Sequence, residues 1–205
     1  MILKAEHISK AFGTHRVLED VSLCVDAGEA VALLGANGSG KTTLLRIVVG
    51  LLQPDAGRVL YCDHPITPAD LCKVGYLPEE RGLYRRMKSG EQAVYLLRLK
   101  GLSRGEAVDA ARGWFSRLGM EQWWGRPVGR LSKGMQQRLQ FVVSVAHNPR
   151  LLILDEPFSG FDEENAAMLR REIARLRDEG TAVVLSTHNT DAASELCGRR
   201  IVISE

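Results

Sequence analysis

Three short groups of residues carry types and spacings that could do chemistry. The first is Gly35-Ala36-Asn37-Gly38-Ser39-Gly40-Lys41-Thr42, which has the spacing of a phosphate-binding loop, Gly-x-x-x-x-Gly-Lys-Thr. Its glycines let backbone N–H groups turn inward and approach phosphate oxygens with no Cβ in the way. Lys41 adds a full charge near the β- and γ-phosphates, the Thr42 hydroxyl is placed to bind Mg²⁺, and Thr43 leads into a helix whose positive end faces the same phosphates. The second group is Leu151-Leu152-Ile153-Leu154-Asp155-Glu156-Pro157, an apolar run that delivers two carboxylates. Asp155 would orient Mg²⁺ through water, and Glu156 would face the attacking water as general base. The third is Leu131-Ser132-Lys133-Gly134-Met135-Gln136-Gln137. Ser132 suits a helix N-cap, so this is a helix N-terminus able to hold an anion with no local anion to hold. Together the first two groups imply transfer of a phosphoryl group from a nucleoside triphosphate to water.

The elements that must position these groups can be read from periodicity. Residues 30–34 form an apolar strand before the glycine loop, and residues 43–49 read as the helix after it. Residues 2–9 are expected as an edge strand and 17–25 as another strand, with a turn at 26–29. Residues 57–61 and 74–77 read as short strands, separated by a loop containing Pro65 and Pro68. Residues 91–100 and 104–118 then carry apolar positions at helical spacing, punctuated by Gly101, Gly119 and Gly125-Arg126-Pro127. A helical subdomain over about 89–146, inserted in an α/β core of 1–88 and 147–205, is the expectation, with Trp114, Trp123 and Trp124 packing inside it. The continuous apolar run 151–154 is the kind buried in a parallel sheet. It is followed by a helix over 162–179 ended by Gly180, a strand at 182–186, a helix at 191–196 and a last strand at 199–204.

Composition bounds the function classes. The chain has 205 residues, 25% charged and 45% hydrophobic, with a net charge of +2. That is an ordinary globular composition, and it argues against a broad nucleic-acid surface. The basic run over 81–88 reads as a solvated face. Cys24, Cys62, Cys72 and Cys197 show no Cys-x-x-Cys or zinc spacing and read as scattered reduced thiols. No apolar run reaches the roughly 20 residues that span a bilayer. The N-terminus has no signal-peptide pattern. A cytosolic chain is expected, meeting a membrane only through a partner.

With the glycine loop first, the Ser132 group second and the Asp155-Glu156 pair third along the sequence, the chain resembles the ATPase subunit of ABC transporters over essentially its whole length. The family signature is Leu-Ser-x-Gly-Gln; here Met135 stands in place of the usual glutamine. The resemblance implies a P-loop core with a mainly parallel sheet, an N-terminal antiparallel β subdomain and an inserted helical subdomain. It implies ATP and Mg²⁺ as ligands, and a head-to-tail dimer in which Ser132, Lys133 and Gly134 of one subunit complete the nucleotide site of the other. Phe12 lies where the family stacks an aromatic ring on adenine. Ser159-Gly160-Phe161-Asp162 resembles the D-loop, usually Ser-Gly-Leu-Asp, which contacts the opposite site. His188 resembles the switch histidine that contacts the γ-phosphate.

There are two departures. Glu79 stands where the family carries a glutamine that binds Mg²⁺ and links the nucleotide to the membrane partner; a carboxylate is also a hard oxygen ligand. Pro78-Glu79-Glu80-Arg81-Gly82-Leu83-Tyr84 further resembles a branch of sodium- and drug-type exporters with separate ATPase and permease chains. Many members of that branch continue into a further C-terminal region, whereas this sequence stops at Glu205, so the chain is either short by nature or truncated. The resemblance thus implies an ATPase peripheral on the inner face of the cell membrane, coupled to an integral permease for export, with no nucleic-acid partner. The alternatives are a soluble ABC ATPase associated with ribosomes or DNA, which usually has two cassettes or long coiled coils, and a non-catalytic nucleotide-sensing module. Retention of Glu156 and His188 argues against the second.

Overall fold

The computed structural model describes residues 1–80, 82–188 and 190–203, and the side chains of all of these except 191 and 192. Arg81, Ser204 and Glu205, which figure in the basic run, the exporter-like string and the chain end, lie outside the described residues.

The strands are β1 (Leu3–Phe12), β2 (His15–Val25), β3 (Ala30–Leu34), β4 (Ala56–Tyr61), β5 (His64–Pro65), β6 (Val74–Leu77), β7 (Leu151–Asp155), β8 (Ala182–Thr187) and β9 (Arg199–Val202). The α-helices are α1 (Lys41–Val48), α2 (Ser89–Leu99), α3 (Arg104–Arg117), α4 (Lys133–Val145), α5 (Glu163–Asp178) and α6 (Thr190–Leu196). Between β6 and β7 every regular element is helical. The proline-containing stretch after β5 is a short 3₁₀ helix, Pro68–Lys73, rather than a loop, and the Thr67–Asp70 capping box closes its N-terminus.

Two sheets form. An antiparallel sheet has the order β2-β1-β4-β5 and a parallel sheet has the order β6-β7-β8-β3-β9. The expectation of an edge strand at 2–9 is corrected: β1 pairs with β2 on one side and β4 on the other, and β2 and β5 are the edges. The polar positions that read as an edge signal are instead one solvated face of an interior antiparallel strand.

Strands β3, β7 and β8 of the parallel sheet are buried on both faces, which explains their uninterrupted apolar runs. Side chains alternate across the sheet. Val31, Leu33, Leu151, Ile153 and Val184 face α1 and the antiparallel sheet. Ala30, Ala32, Leu152, Leu154, Val183 and Leu185 face the helices, in one continuous core with Leu97, Phe115, Phe141, Leu169 and Ile173. The aromatic cluster packs within that core: Trp114 meets Phe141 edge-on at 5.8 Å and Phe115 meets Trp124 at 4.9 Å. Each fully buried Leu, Ile or Val contributes about 1.5–3 kcal/mol.

This topology positions the site. The C-terminal ends of β6, β7, β8 and β3 lie side by side in that order, with Leu77 opposite Leu154, Asp155 opposite Ser186 and Leu34 opposite Thr187. The residues just beyond those four ends are therefore neighbours: Glu79, Asp155 with Glu156, His188, and the glycine loop. Ligands of open parallel sheets bind in this crevice.

Candidate functional site

The glycine loop leaves β3 and enters α1 through Gly40, whose φ of +95° is a left-handed conformation that glycine adopts without strain. α1 has no capping side chain and no acid in its first turn. Its first N–H groups are therefore left for a ligand. Lys41 is buried and its Nζ donates to the carbonyls of Gly35 at 2.8 Å and Ala36 at 2.9 Å, so the cation is held across the mouth of the loop. The Oγ of buried Ser39 has no partner.

A cleft of about 420 Å³ opens over this loop, lined by Asn37, Gly38, Gly40, Lys41, Thr42, Thr43, Glu79, Glu156, Ser159 and His188. The expected phosphate, base and switch residues, with Thr42 and Glu79 of the metal set, thus meet in one place although they come from four segments of the chain. Asp155 lies beneath the cleft rather than on its surface, 1% exposed. Its Oδ1 accepts from the Ser186 hydroxyl at 2.6 Å, and the same hydroxyl accepts from the Glu156 N–H at 3.0 Å. Glu156 is held at a φ of +47°, which costs of order 1 kcal/mol for a residue with a Cβ. Its Oε2 lies 3.1 Å from the His188 Nδ1.

Asp155 Oδ2 and Glu156 Oε1 are buried with no partner among the described residues. A buried unpaired charge is costly unless a ligand meets it. Among the described residues no group of three or more His, Cys, Asp or Glu could hold a metal alone. The donor set fits Mg²⁺, which takes one or two carboxylates, a hydroxyl and the oxygens of substrate phosphates.

Other expected residues lie elsewhere. Ser132 caps α4, its Oγ accepting from the Met135 N–H at 3.3 Å, and both Ser132 and Lys133 are exposed outside the cleft. Gly134 packs near the Phe161 ring, 3.7 Å from where its Cβ would sit. Asp162 caps α5 by accepting from the Asn165 N–H at 2.9 Å. That bond and the Asn165 amide hold the Asp162 carboxyl below its ordinary pKa. Ser159 lines the cleft, and Gly160 turns the chain between it and Asp162 with a φ of +75°. Phe12 is 52% exposed at the β1–β2 hairpin end, with Lys10 5.7 Å from its ring centre. The hairpin abuts the loop through Val17, but Phe12 does not line the cleft.

Two functional residues escaped the sequence reading. Ser186 positions both acids; its signal was a polar residue ending an apolar strand. Gln140 on α4 donates its amide to the carbonyls of Pro78 at 3.0 Å and Glu80 at 3.2 Å, on either side of Glu79, and no local pattern marks it.

A family model described as ABC transporter matches residues 18–159, well over half of the chain. The ABC transporter ATP-binding protein YhaQ of Bacillus subtilis strain 168 is 39% identical over 204 residues, covering 100% of this chain and 68% of its own length. The lipopolysaccharide export system ATP-binding protein LptB of Escherichia coli K12 is 34% identical over 209 residues, covering 99% of this chain and 87% of LptB. A solved ATP-binding subunit of an ABC transporter superposes with a TM-score of 0.91 at 29% identity, covering 99% of this chain and 86% of its own. The cleft, the sheet order that builds it and these matches agree: the chain belongs to the ABC transporter family, as an ATP-binding subunit that hydrolyses ATP.

Proposed function

We propose that this subunit drives export through a separate membrane permease, working as a head-to-tail homodimer with two ATP molecules between its copies. The observation that carries the dimer reading is that Ser132 and Lys133 are exposed at the N-terminus of α4, outside the cleft that gathers every other phosphate-facing group. A second copy facing the first would bring Ser132, Lys133 and Gly134 over the γ-phosphate held by its partner. Residues 1–88 and 147–205 act as the nucleotide-holding body and residues 89–146 as a helical subdomain.

Phosphates of ATP lie on the N–H groups of residues 35–43, with Lys41 supplying charge and Phe12 the face for adenine. Thr42, Asp155 and Glu79 would hold Mg²⁺, which when bound neutralises phosphate charge. Glu156 accepts a proton from the water that attacks the γ-phosphorus while the bond to the β-phosphate oxygen breaks. His188 steadies Glu156 through the 3.1 Å contact and faces the γ-phosphate. Ser159, Gly160 and Asp162 would meet the opposite site. After hydrolysis the shared phosphates no longer join the copies, and the dimer opens.

Among the described residues no helix is long and apolar enough to cross a membrane. Membrane action then runs through a permease docked near residues 79–86, placing the subunit at the cytoplasmic face. Similarity to LptB, whose name is that of an export system, supports export. The test is to tag the Glu156→Gln variant, express it in the source cell and identify what copurifies from detergent-solubilised membranes. Recovery of a multi-span permease is expected; recovery of ribosomal or DNA-bound proteins instead would overturn the transport reading.

A further inference from the structure

We infer that Gln140 is a positioning residue for Glu79, the link through which α4 sets the place of a metal-site carboxylate. This rests on the reading of Glu79 as a Mg²⁺ ligand. Glu79 is exposed on the cleft wall, and no hydrogen bond or ion pair holds its side chain among the described residues. Beyond Leu77 the strand pairing with β7 ends. Pro78 has no N–H with which to continue it. What fixes the backbone there is the amide of Gln140, 3% exposed, which donates at once to the carbonyls before and after Glu79.

The next turn of α4 repeats the device. The Ser144 Oγ lies 2.9 Å from both the Tyr76 carbonyl and the Gln140 carbonyl, which share its one proton, and a Cβ on Gly75 would lie 2.1 Å from the Ser144 carbonyl. The helix therefore touches β6 backbone to backbone, with Gln140 and Ser144 four residues apart on one face. The same helix begins at Ser132. A displacement of the Ser132 end, as by a docking copy, is carried by a stiff helix to Gln140 and so to Glu79. Among the described residues the buried Oε1 of Gln140 has no partner, so the side chain is placed for what its NH₂ group donates.

A positioning role predicts an effect on metal-dependent binding alone. Binding of a fluorescent non-hydrolysable ATP analogue is measured in Mg²⁺ and in EDTA. Gln140→Met keeps the length and removes the donor; affinity should fall about tenfold in Mg²⁺, the worth of two lost amide bonds, and stay unchanged in EDTA. In a Glu79→Ala background the same substitution should do nothing further, because a residue acting through another is not additive with it. An equal loss in both conditions, or additivity with Glu79→Ala, overturns the proposal and leaves Gln140 as packing. If Gln140→Met does not fold, Gln140→Asn, which stays polar but reaches neither carbonyl, takes its place. If Glu79→Ala itself leaves the Mg²⁺ dependence intact, it is the metal reading of Glu79 that fails.

Discussion

Ser186→Ala tests how the two acids of the cleft are held. Ser186 is fully buried, and its single hydroxyl donates to Asp155 Oδ1 at 2.6 Å and accepts from the Glu156 N–H at 3.0 Å. A bond to a carboxylate is worth about 1.5–3 kcal/mol and a neutral one about 1 kcal/mol. Because Asp155 Oδ2 has no partner among the described residues, the substitution leaves a buried carboxylate that accepts no hydrogen bond from them. The expected loss is about 2.5–4 kcal/mol of unfolding free energy. The second consequence is catalytic. Glu156 sits at a φ of +47°, and the bond from its N–H is part of what keeps it there. Relaxation by about 1 Å would move the base off the attacking water, at a cost of about a hundredfold in kcat. Nucleotide affinity should change little, since the loop and Lys41 are untouched. Urea denaturation, phosphate release and nucleotide titration read the three quantities separately. A variant within 0.5 kcal/mol of the wild type and with unchanged kcat would refute the reasoning.

Other substitutions probe the remaining parts. Lys41→Ala removes the cation at the loop mouth and should weaken ATP binding by ten- to a hundredfold in a direct titration; unchanged affinity would reject the assigned loop. Ser132→Arg should block ATP-dependent dimerisation in size-exclusion chromatography while monomer binding persists; a normal dimer would sink the shared site. His147 is a pH test away from the cleft: burial, then the charge of Lys100, pushes its pKa down to about 4 from 6.5. Protons then bind the unfolded chain first, so stability is complete above about pH 6.5 and falls as pH drops toward 4. At pH 5 the loss is about 2 kcal/mol, and His147→Gln should lack that part of the decline in urea melts at pH 7.5 and 5. Equal declines in both proteins would remove His147 as the cause.

The parts of the fold that were legible are those where one physical demand dominates a short stretch. Burial on both faces makes β3, β7 and β8 read as apolar runs, and the geometry of a phosphate loop forces its glycines. The strand order was not read at all, since local sequence says nothing of which strand lies beside which. That is why β1 read as an edge although it is paired on both sides. Lys41, Thr42, Glu156 and His188, which line one cleft, could be picked out beforehand because each stands at a strand or loop end with a motif around it. Ser186 and Gln140 were not, because each acts through a backbone group 30 or 60 residues away, and a serine in a strand or a glutamine in a helix is unremarked on its own.

In the proposed mechanism Glu156 takes the proton from the attacking water in a cleft shared by two copies. Glu156→Gln keeps the shape of the side chain and removes the base. Purified with ATP and Mg²⁺, it should release no phosphate above background and should elute as a dimer retaining two ATP molecules, while the wild type turns over and elutes mainly as monomer. Phosphate release by Glu156→Gln at the wild-type rate would contradict the account.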